Sequence, residues 1–118
     1  MNIELLRDYC IRKNGVTEEF PFDETTLVFK VMNKMFALTD LVDNMSVNLK
    51  CNPELAITLR EEYPDLVLPG YHMSKKDWNT VKYDDIIGDK KIFEWIDDSY
   101  NLIVSKLTKK DKEILKAL

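Results

Sequence analysis

The stretch from Thr25 to Lys50 constrains this chain most, because its apolar residues recur at every second position. Leu27, Phe29 and Val31 alternate with Val28, Lys30 and Met32, in a run rich in β-branched and aromatic side chains. That period suits a pleated strand with one buried face, not a helix. Asn33-Lys34 offers a two-residue turn, since Asn tolerates positive φ. Met35 to Leu41 reads as the return strand, Asp43-Asn44 as the next turn and Ser46 to Lys50 as a third strand. On that third strand Val47 and Leu49 take one face, Asn48 and Lys50 the other. An antiparallel meander of this kind needs apolar cover on one side and tolerates water on the other.

Helical patterns flank the meander and supply the cover. Over residues 2–13, Ile3, Leu6 and Cys10 share one face, broadened by Leu5 and Tyr9. Arg12 and Lys13 fall in the last turn and Asn14-Gly15 ends the helix. Residues 16–24 read as an acidic connector, with Phe20 and Phe22 tucked against the core. Asn52-Pro53-Glu54 is a helix start, followed by a stripe of Leu55, Ala56, Leu59 and Tyr63 that Pro64 closes. Leu66-Val67-Leu68 suits a short strand and Pro69-Gly70 a turn. Ser74-Lys75-Lys76-Asp77 has the form of a capping box for one helical turn, before a strand from Trp78 to Tyr83. Gly88-Asp89 opens the longest helix, about 90–107, and Thr108-Lys109-Lys110-Asp111 caps a final short one. The expected fold is therefore α+β: an antiparallel sheet with an N-terminal, a middle and a long C-terminal helix packed on it. All 118 residues are expected to form one domain.

Chemistry-bearing residues concentrate between Pro69 and Val81. Here lie the one histidine, His72, together with Tyr71, Lys75, Lys76, Trp78 and Asn79. Catalysis by His72 would need a nucleophile and an oxyanion loop, and neither a Gly-x-Ser-x-Gly elbow nor a Gly-rich loop is present. One histidine and two distant cysteines, Cys10 and Cys51, do not make a zinc site, so no cofactor or metal is expected. Both cysteines read as small buried hydrophobes. The formal charge of −4 argues against a dominant positive field, but charge is unevenly spread along the chain. Lys75, Lys76 and Lys82 face only Asp77 between Leu66 and Tyr83, whereas acids outnumber bases before Thr25. Lys30, Lys34 and Lys50 would join this basic side if the meander packs beside it.

Several blocks resemble the MmcQ/YjbR family of small bacterial proteins. They are Thr17-Glu18-Glu19-Phe20-Pro21-Phe22-Asp23, Val28-Phe29-Lys30-Val31, Lys34-Met35-Phe36-Ala37, Val47-Asn48-Leu49-Lys50-Cys51, Pro69-Gly70-Tyr71-His72-Met73 and Lys75-Lys76-Asp77-Trp78-Asn79-Thr80-Val81. The resemblance runs from the first helix to Ser99-Tyr100 and is weakest after Leu107. It implies a double-wing fold similar to CyaY and frataxin-like domains, and a DNA-binding role. Carried over residue by residue, the implied surface is Lys50, Tyr71, His72, Lys75, Lys76, Trp78 and Asn79. The expectation is a non-enzymatic, cytoplasmic, monomeric DNA-binding protein, with no leader segment and no membrane contact. The alternative is a module that binds a protein or small ligand in a cleft lined by His72 and Trp78.

Overall fold

A computed structural model of the chain describes residues 1–43, 45–70 and 73–118. Four helices and six strands follow one another as α1 (Ile3–Ile11), β1 (Val16–Glu19), β2 (Thr26–Val31), β3 (Lys34–Asp40), β4 (Ser46–Lys50), α2 (Pro53–Glu62), β5 (Val67–Pro69), β6 (Trp78–Lys82), α3 (Asp89–Ser105) and α4 (Lys109–Lys116). The strands make one sheet in the order β1-β2-β3-β4-β6-β5, antiparallel at every pairing. The meander expected from Thr25 to Lys50 is its centre.

Strand alternation sorts the sheet into two unlike faces. Leu27, Phe29, Val31, Ala37, Val47, Leu49 and Val81 point toward the helices. There they meet Leu6 and Cys10 of α1, Leu59 of α2, Ile92, Trp95, Ile96 and Ile103 of α3, and Leu115 of α4. Each large side chain fully buried in this layer contributes roughly 1.5–3 kcal/mol. The opposite face carries a smaller cluster of Val28, Leu38 and Trp78, partly covered by Met35 and Met73.

A bulge adjusts this pattern at one place. Register slips between Phe29 and Lys30, which pair with Ala37 and Met35 and leave Phe36 without a partner on β2. Phe36 and Ala37 both enter the core as a result. Ser99 of α3, fully buried, bridges β3 and β4 just past their last pair: its Oγ donates to the Phe36 carbonyl at 2.6 Å and accepts the Lys50 N–H at 2.9 Å.

The structure departs from the sequence expectation in several places, among them Leu55, exposed on α2 and not in its buried stripe, and Cys51, half-buried and not buried. Residues 16–19 form β1 rather than a connector, pairing with β2 from Val16↔Val31 to Glu19↔Val28. Acidic side chains hide this strand from hydropathy, but they have partners: Glu18 with Arg7 at 2.5 Å and Glu19 with Lys30 at 3.5 Å. Phe20 and Phe22 are not tucked in; they are 49% and 63% exposed. The β2–β3 turn is Met32-Asn33, one residue earlier than expected, with φ of 48° and 64°. The first helix ends at Ile11, so Arg12 caps it and Lys13 instead pairs with Asp97 on α3. Gly15, at φ +71°, then admits the chain to β1 beneath Leu115.

Candidate functional site

Among the described residues, no helix packs on the cluster of Val28, Leu38 and Trp78, so this face of the sheet is open to a ligand. Antiparallel pairing places the chain's loops at the two ends of the sheet. One end gathers the β2–β3 turn, the end of β4 and the β5–β6 connection. Lys34, Lys50, Lys75 and Lys76 belong to this end, and among the described residues none of them is ion-paired. Lys34, Lys75 and Lys76 are exposed, and Lys50 is half-buried beside Trp78, its register partner on β6. Lys30 lies one row inward and spends its charge on Glu19.

The β5–β6 connection is held tightly where it is described. Gly70 N–H donates to the Trp78 carbonyl at 2.8 Å. A Cβ at Gly70 would stand 2.7 Å from Trp78 Cβ, so only glycine permits this approach. Met73 then leans on the Val28–Leu38–Trp78 cluster. Ser74 to Asp77 makes a hydrogen-bonded turn, with the Trp78 N–H reaching the Ser74 carbonyl at 3.0 Å. Arg60 of α2 clamps the far side, donating to the carbonyls of Lys75 and Trp78 and, at 2.7 Å, to Asn79 Oδ1.

These contacts divide the residues anticipated for the site. Lys50, Lys75 and Lys76 come together at one sheet end. Trp78 is only 6% exposed and packs on Met73, so its indole anchors the loop and presents no stacking platform. Asn79 is 2% exposed on the helix side, where its carboxamide joins Arg60 and the Ala56 carbonyl. It fixes the turn that carries the lysines and does not reach the surface. Tyr71 and His72 lie outside the described residues.

Sequence reasoning missed Arg60 and Ser99, which hold the lysine end from the helix layer. It also missed a concavity of about 550 Å³ on the open face, lined by Phe22, Asp23, Thr26 and Asp40 from the other end of the sheet, by Asn48 of β4 and by Met73 of the β5–β6 connection. Asp23 is held ionised below the ordinary carboxylate range, chiefly by the N–H groups of Thr25 and Thr26 at 2.9 and 2.7 Å. Among the described residues, no three His, Cys, Asp or Glu side chains group as metal ligands would. Nor is any described helix long and apolar enough to cross a membrane.

A six-stranded antiparallel sheet backed by helices on one face defines an α+β domain with an open, charge-divided face. Known proteins share this architecture and sequence. The YjbR family model matches residues 11–102. The protein YjbR of Escherichia coli K12 is 34% identical over 116 residues, covering 98% of either chain. YbdF of Escherichia coli O157:H7 is 35% identical over 95 residues, 80% of this chain and 77% of that one. Both carry names that call them uncharacterized. The crystal structure of Deinococcus radiodurans DR2400, a DUF419 domain, superposes with a TM-score of 0.90 at 38% identity, over 98% of this chain and 88% of that one. The chain belongs to the YjbR family.

Proposed function

We propose that this protein is a non-enzymatic DNA-binding protein that holds the phosphate backbone at the lysine end of its sheet. One observation carries the reading. Lys34, Lys50, Lys75 and Lys76 come from three separate stretches of chain, converge on one end, and have no ion-pair partner among the described residues. Ammonium groups not spent on ion pairs suit phosphate oxygens, three of these four being exposed, and releasing the counterions around DNA rewards each contact. Arg60 and Asn79 support the reading indirectly, because they rigidify the turn that presents Lys75 and Lys76. A rigid turn loses less entropy when it docks. The surface is small and the protein acidic overall, so the affinity it predicts is modest and strongly salt-dependent.

An electrophoretic mobility shift with mixed-sequence double- and single-stranded DNA tests the proposal. Lys75→Ala with Lys76→Ala alters two exposed side chains and should leave the fold intact, as circular dichroism would verify. The double variant should bind roughly tenfold or more weakly at about 0.1 M salt. Equal binding by the variant and the parent would remove this end of the sheet from the interface.

A further inference from the structure

The opposite end of the sheet has a different chemistry. Three connections meet there: residues 20–25 between β1 and β2, 41–45 between β3 and β4, and 83–88 between β6 and α3. Hydrogen bonds join them, from Leu41 N–H to the Thr25 carbonyl at 2.7 Å and from Tyr83 N–H to the Met45 carbonyl at 3.0 Å. Phe20, Phe22, Leu41, Val42, Met45 and Ile86, half of the large exposed apolar residues among those described, lie in these connections. Val42 is 79% exposed and Ile86 77%. Asp40 and Asp84 prop them by the same device, each accepting the N–H two residues on, at 2.8 Å. The 550 Å³ concavity adjoins this patch, lined here by Phe22, Asp23, Thr25, Leu38 and Asp40, with Met73 of the β5–β6 connection also in its wall.

Charge narrows the occupant. Asp23, Glu24, Asp40, Asp43, Asp84 and Asp85 are all exposed here; the three connections contain no Lys or Arg, and the exposed Lys82 that ends β6 is outnumbered by these acids. Such a rim repels nucleic acid. It also repels a second copy meeting it face to face, because a two-fold contact sets the same acids against each other. A cationic partner with apolar anchors gains on both counts.

We propose that this end of the sheet docks a basic polypeptide segment, with one apolar side chain entering the concavity and its lysines or arginines meeting the acidic rim. The site uses none of the four lysines of the other end, and neither proposal depends on the other.

Fluorescence anisotropy tests it, using a labelled amphipathic helical peptide of Leu and Lys as the probe at physiological salt. Two further peptides serve as comparisons, one with Ser replacing Leu and one with Glu replacing Lys. The Leu/Lys peptide should bind saturably, and each comparison peptide about tenfold more weakly or not at all. Val42→Ser with Ile86→Ser, both exposed, should weaken binding about tenfold. Asp43→Asn with Asp85→Asn should also weaken it, while Lys75→Ala with Lys76→Ala should not. Equal affinity for the Ser peptide would reduce the site to charge alone and overturn the proposal. So would undiminished binding by the Val42/Ile86 variant, or no binding of the Leu/Lys peptide. Sedimentation of the protein alone supplies a last check. A dimer that the Val42/Ile86 changes dissolve would give this face to a second copy instead.

Discussion

Ser99→Ala isolates one join between the helix layer and the sheet. The side chain is fully buried, and its hydroxyl is bonded to the Phe36 carbonyl at 2.6 Å and the Lys50 N–H at 2.9 Å. The β3–β4 register runs no further than Ala37↔Leu49, so this hydroxyl bridges the Phe36 carbonyl and the Lys50 N–H just past the last pair. Removing it costs two hydrogen bonds and strands a carbonyl and an amide out of water. At about 1–2 kcal/mol for each, the gross loss is roughly 2–4 kcal/mol. Alanine's better helix propensity returns about 0.5 kcal/mol, and losing one oxygen leaves little cavity. The net expectation is a loss of about 2–3 kcal/mol, or a Tm lowered by roughly 6–15 °C. Urea denaturation measures it, with Ser105→Ala as the control: the same change on the same helix at an exposed position. The control should move stability by less than about 0.5 kcal/mol. Hydrogen exchange at the Lys50 amide should also quicken in the Ser99 variant. A Ser99→Ala loss no larger than the control's would refute the idea that this hydroxyl ties α3 to the bulge.

Three other outcomes follow from the geometry. Gly70→Ala sets a Cβ 2.7 Å from Trp78 Cβ and should destabilise by about 1–3 kcal/mol, with faster proteolysis between β5 and β6; unchanged proteolysis would contradict the close approach. Asn79→Ala strips Arg60 of a buried partner and should cost about 1–3 kcal/mol in thermal melts, while Lys34→Ala on the surface should cost almost nothing. Asp23, its carboxylate stabilised by backbone N–H groups, should titrate below the ordinary aspartate value of about 4 when followed by NMR. A depressed folded-state pKa contributes stability that is complete above that ordinary value. The contribution fades as the pH falls below it and through the folded pKa, so Asp23→Asn should flatten the acid limb of the stability curve.

Much of the fold was legible because its signals are local. Two-residue alternation marks β2 to β4, and Asn52-Pro53 and Thr108 mark helix starts whose side chains do accept the expected N–H groups. What escaped depends on partners distant in sequence. Strand β1 is acidic, and its identity rests on Arg7, Lys30 and β2. The bulge that drives Phe36 inward is invisible to a period-two reading, as is the serine on α3 that bridges Phe36 to Lys50. At the candidate site the lysines could be named from sequence, but Trp78 and Asn79 could not be ranked. An aromatic and an amide beside two lysines look like recognition groups until their burial is known. The acidic, apolar end escaped because its three connections are far apart in the chain and meet only through the sheet.

The central claim is that phosphate contact at the lysine end drives binding, and the salt dependence of DNA affinity tests it most directly. Anisotropy titrations against labelled double-stranded DNA across a range of salt concentrations would give the slope of log K against log salt. With four lysines in contact the slope should approach about −3 to −4, and it should shrink by about 2 in the Lys75/Lys76 double variant. A slope near zero, or one unchanged by those substitutions, would contradict the account.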